Sequence, residues 1–190
     1  MEKGQLKATL MSEDLMKRAI KRMAHQILEQ NDGAKDLVFL GIRRRGVPLA
    51  HMLAQNISEI EGSRVPVGEL DITFYRDDLS EKKLDPMVGQ SKADFSVKDK
   101  IVVLVDDVIF TGRTASAALN AVRELGRPAR VQLAVLIDRG HRELPIRPDY
   151  VGKNVPTSRN EVVSVKVTEF DGQMCVNLYS KTKEKTYEKR

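Results

Sequence analysis

The sequence predicts an α/β domain with a parallel core sheet covered by helices, and three observations carry that prediction. Residues 102–105 read Val-Val-Leu-Val, an unbroken aliphatic run that suits a strand buried on both faces. Short apolar stretches at 37–40 and 130–137 alternate with segments of helical spacing, which is the rhythm of strand, covering helix and parallel strand. Two carboxylates, Asp106 and Asp107, close the central run, at the end of the strand where open α/β sheets take their ligands.

Length and composition narrow the field. A chain of 190 residues fits one domain with a substantial core. We read residues 1–180 as that domain and 181–190 as a loose basic tail. No apolar run is long enough to span a bilayer, and residues 1–10 lack a basic and then hydrophobic leader pattern, so a cytoplasmic protein with no membrane partner is expected. The single cysteine, Cys175, excludes an internal disulfide and suits filler in an apolar strand. The formal charge is +5, but five basic and two acidic residues at 181–190 supply +3 of it. The body carries little net charge, so nucleic-acid binding has to rest on local clusters.

The elements follow in order. Ser12 with Glu13 and Asp14 marks a helix start, and Leu15, Met16, Ala19, Ile20, Met23, Ala24, Ile27 and Leu28 continue it with one apolar face. Asn31-Asp32-Gly33 ends it, and 37–40 form a strand. Gly41-Ile42-Arg43-Arg44-Arg45-Gly46 then precedes a second helical pattern through Val47, Ala50, Leu53, Ala54 and Ile57. Three arginines between two glycines suit either a solvated loop or, at the ligand end of a sheet, a clamp for pyrophosphate, because arginine forks pair with phosphate oxygens. Residues 65–75 alternate as a strand, and 76–95 are polar and charge-rich, either a mobile lid or simple disorder. A helix over 114–125 stops at Gly126, and 130–137 is a strand. Residues 138–156 form a basic, proline-marked loop, after which 161–168 and 174–179 form a hairpin about Asp171-Gly172.

After the central acidic pair, Thr111-Gly112-Arg113-Thr114 offers hydroxyls, a permissive glycine and backbone N–H groups at a helix start, the ingredients of a phosphate loop. Each residue alone suits an ordinary helix cap. In order, residues 102–114 resemble the thirteen-residue phosphoribosyl pyrophosphate signature of type I phosphoribosyltransferases. No glycine-rich loop ending in Gly-Lys-Ser/Thr is present, which excludes a Walker-type site. The resemblance implies that Asp106 and Asp107 hold the ribose hydroxyls. It assigns the 5′-phosphate to Ile109, Phe110, Thr111, Gly112, Arg113 and Thr114, and counts Val108 among the substrate-binding residues.

Further segments resemble one branch, the pyrimidine operon attenuation regulators that are also uracil phosphoribosyltransferases: residues 67–79, 119–134, 138–147 and 151–158. That resemblance implies a parallel five-stranded core, a small hood over the base, a lid, and Mg²⁺ carried in on phosphoribosyl pyrophosphate. Uracil N1 would attack the ribose C1′ and pyrophosphate would leave, giving UMP. Such chemistry needs electrostatic support and exclusion of water more than a nucleophile. Arg43, Arg44 and Arg45 would hold pyrophosphate, Arg76 would add a lid clamp, Arg139 would stand at the base, and Val163 would be a further substrate-binding residue. It further implies a uridine-nucleotide-dependent (UMP or UTP) grip on a pyrimidine operon mRNA leader through Lys21, His25, Arg142, Arg147 and Lys153, in a homodimer or higher oligomer. Two rivals are a salvage enzyme for uracil or purines without RNA function and a nucleotide sensor without useful catalysis.

Overall fold

A computed structural model describes residues 4–73 and 93–181. The elements are β1 (Gly4–Met11), α1 (Glu13–Gln30), β2 (Leu37–Ile42), α2 (Gly46–Glu61), β3 (Val67–Leu70), β4 (Ile101–Ile109), α3 (Arg113–Leu125), β5 (Arg130–Asp138), β6 (Tyr150–Asn154), β7 (Glu161–Lys166), a helical turn α4 (Thr168–Asp171) and β8 (Cys175–Lys181). Five strands form a sheet in the order β3-β2-β4-β5-β6, every pair parallel. A separate antiparallel sheet of three strands, in the order β1-β8-β7, makes the hood.

The central strand has both faces buried because its residues alternate between two cores. Val103 and Val105 pack with α1 and α2, whereas Val102 and Leu104 pack with Ala117, Ala118, Ala121 and Val122 of α3. This is the aliphatic run's physical reason: neither side meets water. Helix α1 begins as expected, with the Ser12 hydroxyl accepting the Leu15 N–H at 3.4 Å. Hood residues Val163, Val165, Val167, Met174 and Val176 join the α1/α2-side core, so the hood is packed onto the body.

Four expectations are corrected. Within the described part of the strand expected over 65–75, which stops at Thr73, only Val67–Leu70 is strand; Asp71 leaves the ladder and accepts the Thr73 N–H and hydroxyl instead. Residues 150–154, read as loop, form the fifth core strand, where a Cβ on Gly152 would lie 2.5 Å from the Leu136 carbonyl oxygen. The expected tight hairpin is interrupted by α4, although β7 and β8 do pair. The hood's third strand, β1, was not anticipated. Residues 76–92 of the expected lid, with Arg76, and residues 182–190 of the expected tail lie outside the described residues.

Candidate active site

The acidic pair stands inside β4, which runs on to Ile109 and pairs with β5 as far as Asp138. Each carboxylate is folded back on its own backbone: Asp106 accepts the Asp107 N–H, and Asp107 accepts the Val108 N–H, both at 2.9 Å. Burial pushes the Asp107 carboxyl above its ordinary pKa, against the opposing pull of Asp106, the Val108 N–H and the Arg45 charge. A carboxylate with its pKa displaced beside a cavity is a candidate functional group.

Beyond the strand, three successive carbonyls are held from one side. Ile109 O accepts the Arg139 N–H at 3.2 Å, Phe110 O accepts Arg142 Nη1 at 2.8 Å, and Thr111 O accepts the N–H groups of Glu143 and Leu144 at 2.9 and 3.1 Å. In a trans peptide the carbonyl and the next N–H point oppositely, so this arrangement turns the N–H groups of Phe110, Thr111 and Gly112 the other way. Gly112 then caps α3 at φ +94°, a left-handed conformation that favours glycine. A cavity of about 420 Å³ opens there, lined by Asp106, Val108, Phe110, Thr111, Gly112 and Thr114 among others. Aligned N–H groups beside a helix N-terminus suit a phosphate.

A second cavity of about 400 Å³ shares Asp106, Val108 and Thr114 with the first and adds Arg43, Arg44, Asp71, Thr73 and Asp107. The arginine turn enters it with a cis Arg43–Arg44 peptide. Arg43 forks onto Glu69 and Asp71, each at 3.0 Å. Arg45 binds Asp171 of the hood at 2.9 Å, and the Arg44 guanidinium lies 5.1 Å over the Phe170 ring. Burial works against the charge on Asp71, but the bonds from Thr73 and Arg43 outweigh it and hold that carboxyl below its ordinary pKa. The two cavities share Asp106, Val108 and Thr114, so the carboxylates, the loop N–H groups and the arginine turn line one connected stretch of surface.

The other expected residues divide. Arg139 is 7% exposed; its guanidinium donates to Thr157 Oγ1, Ser158 O and Glu161 O and lies 4.2 Å over the Phe110 ring. It anchors the approach to the hood against the phosphate loop, and it lines a cavity of about 350 Å³ with His141, Asn154 and Thr157. Val163 is buried in the hood strand β7. Lys21 and His25 are exposed on α1, Arg147 is exposed in the loop from β5 to β6, and Lys153 is exposed on the edge strand, its Nζ on Leu10 O at 3.0 Å. Arg22 ties α1 to that edge through the Val151 and Gly152 carbonyls. Arg142 is the exception among the five, because its side chain is 19% exposed and turned inward.

Sequence reading passed over Glu69, Asp71 and Asp171, the carboxylates that hold the arginine turn. An acid at the end of an apolar strand pattern was the available signal for Asp71. Asp171 was absorbed into a turn, and only folding brings it to Arg45.

A parallel sheet whose central strand carries an acidic pair shortly before a loop of aligned N–H groups, with an arginine turn alongside, presents groups that suit a phosphorylated sugar. The phosphoribosyl transferase domain family matches residues 9–169. The chain is 60% identical over 172 residues to the "Bifunctional protein PyrR" of Acetivibrio thermocellus, covering 90% of this chain and 94% of that one. Against the protein of that name from Thermus aquaticus it is 59% identical, covering 92% and 97%. The chain therefore belongs to the phosphoribosyltransferase family and, within it, to the bifunctional PyrR proteins. Among solved structures, a ternary substrate complex of Trypanosoma cruzi hypoxanthine phosphoribosyltransferase superposes with a TM-score of 0.72 at 19% identity, over 94% of this chain and 97% of that one. A Bacillus anthracis hypoxanthine-guanine phosphoribosyltransferase gives 0.69 at 18%, over 91% and 98%. At that identity the likeness is one of fold.

Proposed function

We propose that the protein transfers the phosphoribosyl group of phosphoribosyl pyrophosphate to uracil, giving UMP and pyrophosphate. In its nucleotide-bound form it also binds a pyrimidine operon mRNA leader to promote transcription attenuation. The observation that carries the first half is the meeting of two cavities at Asp106, Val108 and Thr114, with Asp107 on the wall of the second. The N–H groups of Phe110, Thr111 and Gly112 take the 5′-phosphate, the acidic pair takes the ribose hydroxyls, and Arg43 and Arg44 face the departing pyrophosphate. Arg45, held by Asp171, supports the turn.

Among the described residues no group of three or more His, Cys, Asp or Glu side chains could hold a metal ion. The residues still suit Mg²⁺ brought by the substrate, since that ion is commonly bound through one or two carboxylates plus phosphate oxygens. Asp106 and Asp107 are the carboxylates placed to meet it, and the ion would neutralise pyrophosphate charge. As the C1′–pyrophosphate bond breaks, positive charge builds on the sugar. The acidic pair stabilises it, while uracil N1 closes the new bond to C1′ and its proton passes to the departing pyrophosphate.

Support for the RNA half is the high identity to proteins named bifunctional and the exposed basic groups Lys21, His25, Arg147 and Lys153 on α1, the β5–β6 loop and the edge strand. Structured RNA is gripped through phosphates and splayed bases. In the described residues no helix is long and apolar enough to cross a membrane. Incubation with labelled phosphoribosyl pyrophosphate, Mg²⁺ and uracil, hypoxanthine or guanine in parallel tests the reaction. UMP from uracil alone is expected, and product from a purine alone would overturn the assignment.

A further inference from the structure

The geometry points to Arg142 as a positioning residue for the phosphate loop, through which nucleotide binding is coupled to the β5–β6 loop, and not as a contact to RNA. This rests on the nucleotide-handling reading of the site. Nε of Arg142 donates to Ile146 O at 2.9 Å, Nη1 to Phe110 O at 2.8 Å and to Gly140 O at 3.1 Å, and Nη2 to the Asp138 carboxylate. Four of the five guanidinium N–H bonds are thus committed inside the protein. A fork so engaged has no second edge to lay against an RNA phosphate without giving up these partners.

What it holds is specific. Asp138 ends β5, and its other oxygen accepts the Gly140 N–H at 2.9 Å. Ile146 lies at the far end of the same loop, so Arg142 closes residues 138–146 into a compact unit. The Phe110 carbonyl is the middle one of the three captured from the phosphate loop; its neighbours are held by backbone N–H groups of the same unit, from Arg139, Glu143 and Leu144. Arg113 of the phosphate loop and Glu143 form an ion pair at 3.1 Å. Because Phe110 O is fixed by Arg142, the Thr111 N–H that belongs to the same peptide is fixed toward the phosphate cavity. Filling that cavity and positioning the 138–146 unit, which Arg147 directly follows, are therefore coupled through the same bonds. By linkage each favours the other.

Arg142→Gln and Arg142→Lys test this. For Arg142→Gln the KM for phosphoribosyl pyrophosphate and the Kd for UMP should rise about tenfold, roughly the loss of one or two charge-assisted bonds, while kcat moves much less. Arg142→Lys should lie between parent and Gln, since one cation still reaches some of the carbonyls. Binding of a leader stem-loop by Arg142→Gln should weaken at low UMP and return to the parent value at saturating UMP. A direct RNA contact would instead weaken at every UMP concentration. Unchanged KM and UMP affinity in a folded variant, with RNA binding lost throughout, would overturn the proposal. Equal losses in kcat, KM and melting temperature, with Lys no better than Gln, would also overturn it by reducing the residue to general scaffolding. An inactive parent that binds neither substrate nor UMP is a separate result, which defeats the proposed function itself.

Discussion

Asp107 carries the main conflict at the residue scale. Burial raises its pKa, which means the fold is better off with the carboxyl protonated. For a group raised in this way, the contribution to stability is fully present below the ordinary carboxylate value and disappears as pH rises through the raised one. Asp107→Asn keeps the acceptor for the Val108 N–H and removes the charge, so it should melt above the parent at neutral pH, with the gap closing in acid. Melting curves across pH check this, and a variant less stable than the parent at neutral pH would contradict it. Function runs the other way. Asp106→Asn with Asp107→Asn should lose charge-assisted bonds to the ribose hydroxyls, on the order of 1.5–3 kcal/mol each. Calorimetry on the folded double variant should therefore show binding of phosphoribosyl pyrophosphate reduced by several decades. Asp71 has the opposite sign: held below its ordinary pKa by Thr73 and Arg43 despite burial, it stabilises above the ordinary value and loses that contribution as pH falls through the lowered one.

Among the elements, the close approach of α2 to β4 sets the arginine turn. A Cβ on Gly46 would stand 2.2 Å from the Val105 carbonyl oxygen and 3.4 Å from Asp106 Cα. Gly46→Ala must push the start of α2 off the central strand, at about 1–3 kcal/mol or more, and should also weaken binding of phosphoribosyl pyrophosphate because the turn and the acidic pair part. Denaturant unfolding alongside calorimetry checks both; a variant with parental stability and affinity would show that the helix gives way freely. That glycine was visible in the sequence only as a turn residue. Its reason, a contact to a strand some sixty positions on, belongs to the fold. The same divide runs through the other elements. Residues 102–114 were legible because local chemistry carries both strand and loop. β6 was not, since its Tyr-Val-Gly-Lys-Asn is set by packing against β5 and not by alternation. β1 runs largely exposed and has no buried face for a pattern to mark; pairing with β8 makes it a strand. Arg142 was legible as a basic residue and misleading as a surface one, because nothing local announces that Phe110 O, Gly140 O and Ile146 O will converge on it.

For the whole molecule, charge and linkage decide whether transfer and regulation share one body. The hood, the arginine turn and the β5–β6 loop are joined through Asp171–Arg45, Arg139 and Arg142, the contacts through which the proposed coupling would run. Removing Lys21, Arg147 and Lys153 together by alanine substitution touches no cavity that serves the transfer chemistry, and UMP formation should survive. If the three side chains neutralise RNA phosphates, affinity for a pyrimidine leader stem-loop should fall. The slope of log affinity against log salt should also become shallower by about two to three, since fewer counterions are released. UMP should raise the affinity of the parent for that RNA, and RNA should raise the affinity for UMP by the same factor. Gel-shift titrations across salt and UMP measure all of these quantities. Tight UMP-dependent binding with an unchanged salt slope in the triple variant would move the RNA surface elsewhere on the molecule, and a parent with no specific RNA binding would leave the phosphoribosyl transfer standing alone.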